Sequence, residues 1–157
     1  MGGIATCLWL DGRAEEAAAF YVAAFRRAGR AAEAGPPLRQ GAEGPGPEGA
    51  VLVATVTLDG HEVVLLNGGP AFPFSPAVSL TVTCEEQAAV DRFWEALSEG
   101  GETGRCGWLT DRFGLSWQVV PRVLPELLRH PDRARADRVM RAMMGMTRLD
   151  IAALEAA

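Results

Sequence analysis

A pattern of apolar strands around one amphipathic helix occurs twice in this chain of 157 residues. A duplicated pattern of this length is the signature of two similar supersecondary units. The sequence therefore predicts two modules of strand–helix–strand–strand–strand order, with chance similarity between two ordinary α/β stretches as the alternative. The aligned pairs are Ile4 with Ala77 and Phe20-Tyr21 with Phe93-Trp94 at an offset of 73, then Gly60 with Gly114 at an offset of 54.

The first module is predicted over residues 1–70 and the second over residues 77–121, within one domain that spans the chain. Asp59-Gly60 is a strong hairpin signal, and Gly100-Gly101 is expected to end a helix. Residues 33–49 are rich in Gly, Pro and Glu and predict a loop around a poor strand. The predicted strands are 4–10, 50–58, 61–67, 77–83, 102–110 and 115–120, and the predicted helices are 13–27 and 85–99.

Residues 122–157 are predicted to form a helical tail, with Pro131-Asp132 as a cap and Gly145 as a weak point. Four methionines cluster there, at positions 140, 143, 144 and 146. Methionine side chains fill irregular apolar grooves. The tail could therefore pack within the monomer or across a dimer interface.

Charge and composition exclude several functions. The net charge is −5, which argues against a nucleic-acid partner. All 15 basic residues are arginine, so a Schiff-base lysine, a catalytic lysine and a P-loop lysine are excluded.

The cysteines and the apolar runs bear on location. No CxxC pair is formed by the three cysteines, Cys7, Cys84 and Cys106, and no apolar run approaches the ~18 residues that span a bilayer. We expect a cytoplasmic protein with no membrane partner.

Three stretches resemble the PhnB-like branch of the vicinal oxygen chelate superfamily, which includes glyoxalase I, extradiol dioxygenases and bleomycin-resistance proteins. They are TCLWLDGRAEEAAAFY (6–21), VTLDGHEVVLLNGGPAFPFS (56–75) and CGWLTDRFGLSWQVVP (106–121), followed by the methionine-rich tail. The resemblance implies an α+β fold of two βαβββ modules, whose mixed sheets curl into a cup, and a homodimer.

Members of this branch often carry a methyltransferase label. However, neither Gly68-Gly69 nor Gly100-Gly101 opens a helix after a strand, as a nucleotide-binding turn would.

Metal-dependent members of the superfamily place ligands on the first and last strands of each module. The matching positions here are Ile4, Val64, Ala77 and Gln118. A catalytic divalent ion needs at least three N, O or S ligands. Because Gln118 alone carries a donor atom, the sequence predicts no metal and no other cofactor.

Strand alternation assigns one face of each strand to a ligand-binding cleft. Glu62 is the candidate general base, with an ordinary surface strand residue as the alternative. His61 alternates with Glu62 and should point the other way, so a catalytic dyad is not expected. The predicted ligand-binding residues are Thr6, Leu8, Leu66, Ser79, Thr81, Trp108, Ser116 and Gln118.

The same alternation sends Cys7, Trp9 and Trp117 to the core. Cys106 follows Arg105 and is the more reactive thiol candidate, with a small core residue as the alternative. The Phe72-Pro73-Phe74 loop could cover a ligand or join a dimer seam.

Three functions compete. The first is a metal-free protein that binds a small, partly apolar molecule. The second is an isomerase- or lyase-type enzyme with Glu62 as base. The third is an interaction module that depends on the tail.

Overall fold

Each copy of the repeat forms its own mixed β-sheet in the computed structural model, which describes residues 3–157. The chain divides into two units, one ending at Phe74 and one running from Ser75 to Ala157. The predicted α+β class with two βαβββ modules is confirmed.

The elements of the first unit are β1 (Thr6–Leu10), α1 (Ala14–Arg27), β2 (Ala32–Ala34), β3 (Leu38–Arg39), β4 (Val51–Leu58) and β5 (His61–Asn67). The sheet order is β1-β5-β4-β2, and β3 also pairs with β4. β1 and β5 run parallel, whereas β4 is antiparallel to β5, β2 and β3. The parallel pair requires a crossover, which α1 begins.

The elements of the second unit are β6 (Ser79–Cys84), α2 (Gln87–Ser98), β7 (Glu102–Thr103), β8 (Trp108–Thr110), β9 (Ser116–Pro121), α3 (Leu124–Leu128), α4 (Arg133–Met144) and α5 (Ile151–Glu155). This unit repeats the topology of the first in the order β6-β9-β8-β7, again with its first and last strands parallel. The helices α3, α4 and α5 follow the sheet.

Each sheet has a helix-covered face and an open face. Tyr21 and Phe25 of α1 are buried, as are Val63 and Leu65 of β5. Phe93 and Trp94 of α2 are buried, as are Trp117 and Val119 of β9. The predicted core position of Trp117 is confirmed.

Strand pairing corrects the predicted face of β1. Leu8 pairs with Leu65, and Val82 pairs with Val119 in the second unit. The first strands are therefore equivalent at an offset of 74 instead of 73. Because strand side chains alternate, this difference of one residue exchanges the two faces.

The tail is helical, as predicted, but it forms three separate helices, α3, α4 and α5, instead of one long helix. The Asp132 carboxylate accepts hydrogen bonds from the backbone N–H groups of Ala134 and Arg135 and so caps α4. α4 ends at Met144, with Gly145 as its C-cap. Buried residues from all three helices form one apolar cluster, together with the connection between α4 and α5. Its members are Leu124, Leu127, Val139, Leu149 and Leu154, with Met143 and Met146 packed against them.

Candidate functional site

The open face of the second sheet carries most of the predicted ligand-binding residues. Ser79 pairs with Ser116, and Thr81 pairs with Gln118, across the parallel strands β6 and β9. Trp108 of β8 pairs with Gln118 from the other side. Paired residues share a face of a sheet, so all five lie on the face opposite α2.

A depression of about 220 Å³ lies beside these strands. Trp108 and Ser116 both line it. The Gln118 Nε2 atom donates a hydrogen bond to the Ser79 Oγ atom at 3.0 Å, which orients the amide along the sheet. The depression also contains polar residues that the sequence prediction missed, namely Glu102, Thr103 and Thr110. Alternation along β8 from Trp108 indicates Thr110, but β7 is too short for a sequence pattern to reveal Glu102.

A buried carboxylate supports this face from behind. Asp111 is 2% exposed, and its Oδ2 atom accepts a hydrogen bond from the Trp117 indole at 2.8 Å. Its Oδ1 atom accepts from the backbone N–H groups of Phe113 and Leu115 at 2.8 and 3.1 Å. These bonds hold the turn between β8 and β9, so the spacing of Trp108 and Ser116 is set by a satisfied polar network.

In the first unit, the prediction for β1 is wrong by one residue. Leu8 is 4% exposed and lies on the core face, beside Leu65, so it is not on the open face. Thr6 shares the face of Leu8. Cys7 was predicted to point into the core, but it is exposed on the open face of the sheet.

Trp9 also lies on the open face of the first sheet, not in the predicted core. It pairs with Leu66, which occupies that face as predicted. The Trp9 indole packs edge-on against Phe72, with ring centroids 5.0 Å apart, and donates a hydrogen bond to the Gly69 carbonyl oxygen at 2.8 Å. The aromatic loop that contains Phe72 therefore covers part of this unit's own sheet.

A second polar group lies at the start of β5. Glu62 is exposed and pairs with Thr57. The Thr6 hydroxyl and His61 Nε2 are hydrogen-bonded at 2.9 Å. His61, Glu62 and Thr57 all line a depression of about 380 Å³. Sequence reasoning missed the Thr6–His61 contact because it depends on the parallel pairing of two strands about 55 residues apart.

The four positions matched to metal ligands do not form a metal site. Ile4 and Ala77 lie outside β1 and β6, and the first-strand partners of Val64 and Gln118 are Cys7 and Thr81. Within residues 3–157, no three His, Cys, Asp or Glu side chains are placed to share a metal ion. The donor set at the matched positions therefore does not fit a divalent metal.

The glycine clusters do not form a nucleotide cradle either. Gly68-Gly69 follows β5, and Gly100-Gly101 follows α2. The turn between β1 and α1 contains one glycine, Gly12. A dinucleotide-type fingerprint instead places several glycines between a strand and the helix that it enters.

Comparison with known proteins identifies the class. Residues 2–120 match the family model described as 3-demethylubiquinone-9 3-methyltransferase. The PhnB protein from Bacillus cereus is 35% identical, with a TM-score of 0.66 over 76% of this chain and 99% of that one. The chain therefore belongs to the PhnB-like family.

More distant structures share the fold alone. The fosfomycin resistance protein FosX from Listeria monocytogenes is 14% identical, with a TM-score of 0.55 over 80% of this chain and 97% of that one. Protein PA1353 from Pseudomonas aeruginosa is 24% identical, with a TM-score of 0.59 over 77% of this chain and 98% of that one. No curated protein matches the chain. None of the helices within residues 3–157 is long and apolar enough to cross a membrane.

Proposed function

We propose that this protein binds a small, partly apolar molecule without a metal ion, on the open face of its second sheet. The observation that carries the proposal is the grouping of Ser79, Thr81, Trp108, Ser116 and Gln118 on one face by strand register. An aromatic surface with a few oriented polar groups is the usual composition of a small-molecule site.

The lining residues indicate the chemistry of the ligand. The Trp108 indole offers a flat apolar surface, while the Thr110 hydroxyl can donate or accept hydrogen bonds. Glu102 adds a hydrogen-bond acceptor at the edge of the depression. This combination favours a planar molecule with a hydrogen-bond donor or an amine at one end.

A screen of small aromatic amines and amides by protein-observed NMR tests the proposal. Compounds that bind should shift the backbone resonances of β8 and β9 together. Trp108→Ala should weaken their binding at least tenfold, because it removes the apolar surface at the centre of the site. Thr57→Ala, on the open face of the first sheet, is the matched control and should leave binding unchanged. Binding that is equally tight in Trp108→Ala and the parent protein would contradict the proposal.

A second function has an observation of its own in its favour. Glu62 and His61 line one depression, and His61 is hydrogen-bonded to Thr6. An exposed carboxylate that lines a depression can remove and return a proton, as an isomerase or lyase requires. The alternative proposal is therefore an enzyme with Glu62 as the general base.

Deuterium exchange separates the two functions. The protein is incubated in D₂O with a panel of small ketones and hydroxyketones, and mass spectrometry records deuterium at carbon. A base at Glu62 should accelerate exchange, and Glu62→Gln should abolish the acceleration while aromatic compounds still bind at β8. Exchange that stays at the buffer rate with the parent protein would remove the enzyme proposal and leave the binding proposal intact.

The assembly and location are part of the proposal. The resemblance to the PhnB-like branch supports a homodimer, and the three free cysteines support a cytoplasmic location. Light scattering on the purified chain should give a mass near twice 16.7 kDa.

A further inference from the structure

Two sulfur atoms from distant parts of the second unit lie in contact. The Cys106 thiol donates to the Met144 thioether, with Sγ and Sδ 3.7 Å apart. Cys106 lies in the turn before β8, and Met144 is the last residue of α4. Neither residue belongs to the open-face site described above.

Backbone hydrogen bonds fix this contact. The Cys106 N–H donates to the Met146 carbonyl oxygen at 2.9 Å, and the Gly107 N–H donates to the Thr147 carbonyl oxygen at 2.8 Å. These bonds tie the turn before β8 to the segment that follows α4. The sulfur atoms are therefore brought together by a fixed backbone, not only by flexible side chains.

The backbone of Cys106 is in the left-handed region, with φ at 58°. Non-glycine residues rarely adopt this conformation, and glycine would adopt it without strain. Cys106 is only partly buried, so core packing does not account for a cysteine at this position. A strained residue with a reactive side chain points to a role for that side chain.

The methionines of the tail divide into two groups. Met143 and Met146 pack against the apolar cluster of the unit. Met140 and Met144 are 45% and 54% exposed and lie four residues apart, on the same face of α4. The thioether of Met144 is thus accessible and touches a thiol.

We propose that Cys106 and Met144 bind a soft monovalent cation, Cu(I) or Ag(I). Thiolate and thioether ligands select such ions over hard divalent cations. On binding, the Cys106 thiol releases its proton to solvent, and the metal ion bonds to Sγ and Sδ. No electron is transferred, and the thiolate cancels the charge of the ion.

The distance between the sulfur atoms suits this site. A sulfur ligand lies about 2.3 Å from a bound metal such as zinc, so two sulfurs on one such ion are at most about 4.6 Å apart. The observed 3.7 Å is about 0.9 Å short of this linear limit, a gap that rotation of the flexible Met144 side chain can open.

Titration with silver nitrate in chloride-free buffer tests the site. Cys7→Ser serves as the parent, because Cys7 is an exposed thiol elsewhere in the chain. Calorimetry and native mass spectrometry should show one Ag(I) bound per chain, with one proton released. Met144→Leu, which keeps the size but removes the thioether, should weaken binding at least tenfold. Met146→Leu is the matched control and should bind as the parent does.

A substitution at the thiol completes the test. Cys106→Gly relieves the left-handed strain and should abolish Ag(I) binding, while its urea unfolding midpoint stays equal to or above that of the parent. If Met144→Leu binds Ag(I) as tightly as the parent, the thiol acts alone and the proposal is wrong. Stoichiometric binding that survives in Cys106→Gly would place the metal elsewhere and would also overturn it.

Discussion

At the scale of single residues, Asp111 shows how a polar group can organise an apolar unit. Its carboxylate accepts three hydrogen bonds, two from the backbone of its own turn and one from the Trp117 indole. Each of these donors would lose this acceptor if the carboxylate were removed. A buried donor without a partner costs more free energy than the hydrogen bond contributed.

We expect Asp111→Ala to lower the free energy of unfolding by about 2–4 kcal/mol. Urea denaturation followed by tryptophan fluorescence measures this loss. Asp137→Asn is the control, because that carboxylate is exposed and its ion pair with Arg133 is 3.9 Å long. The control should change stability by less than about 0.5 kcal/mol. Equal stability of the two variants would show that the Asp111 network is not required.

At Gly101, the fold requires a residue without a side chain. A Cβ atom at this position would overlap the Thr110 carbonyl oxygen and lie 2.7 Å from the Asp111 carbonyl carbon. Gly101→Ala should therefore destabilise the protein by at least about 2 kcal/mol. Gly41→Ala is the matched control, since a Cβ there meets nothing within 4 Å. A thermal unfolding midpoint that falls equally in both variants would contradict this account.

At the scale of elements, β1 shows how an alternating pattern can be assigned to the wrong face. The aromatic residues of the two helices suggested an offset of 73 throughout the module. The strands are instead equivalent at 74, because Leu8 lies beside Leu65 as Val82 lies beside Val119. A shift of one residue turns a side chain by about 100° around a helix, whereas on a strand it exchanges the two faces.

Substitutions on β1 test this assignment. Leu8→Ala should cost about 2–5 kcal/mol of unfolding free energy, because it leaves a cavity in the core. Cys7→Ala, one residue earlier on the exposed face, should leave stability nearly unchanged. Chemical denaturation of both variants gives the comparison. If Cys7→Ala destabilised the protein more than Leu8→Ala did, Cys7 would lie on the core face, as the offset of 73 predicted.

At the scale of the whole molecule, the tail belongs to the core of the second unit. The Gln87 side chain of α2 donates to the Leu149 carbonyl oxygen at 3.1 Å and accepts from the Ile151 N–H at 2.9 Å. Leu149 and Leu154 are fully buried. The sequence left open whether the tail methionines pack within the monomer or across a dimer interface. Met143 and Met146 pack within the monomer.

A truncation that ends the chain at Gly145 should destabilise the second unit strongly, because it removes Leu149, Leu154 and the carbonyl acceptors of residues 146 and 147. The measurement is the urea unfolding midpoint, with backbone NMR to show which unit changes. Arg148→Ala, which removes only an exposed ion pair with Asp91, should leave the midpoint almost unchanged. An unaltered midpoint in the truncated chain would mean that the tail is dispensable for the fold.

Much of the fold could be predicted because it depends on local signals. The Asp59-Gly60 turn and the alternation after it predict the strand 61–67, and β5 has those bounds. The face of the second sheet followed from the same alternation, so Ser79, Thr81, Ser116 and Gln118 were grouped correctly. Asp111 and Glu102 were missed because their surroundings come from strand pairing and turns, not from a repeating pattern.

The amino-acid sequence by itself determined the two modules, the hairpin turn, the cap at Asp132 and the helical character of the tail, since each depends on residues close together in the chain. Tertiary structure alone decided which face Leu8 and Cys7 occupy, and it alone brought Cys106 to Met144 and Thr6 to His61. The physical reason is that these outcomes depend on the register between strands and on backbone hydrogen bonds between segments far apart in sequence. A shift in that register leaves the alternating pattern of the sequence unchanged. However, it moves every side chain of the strand to the other face of the sheet.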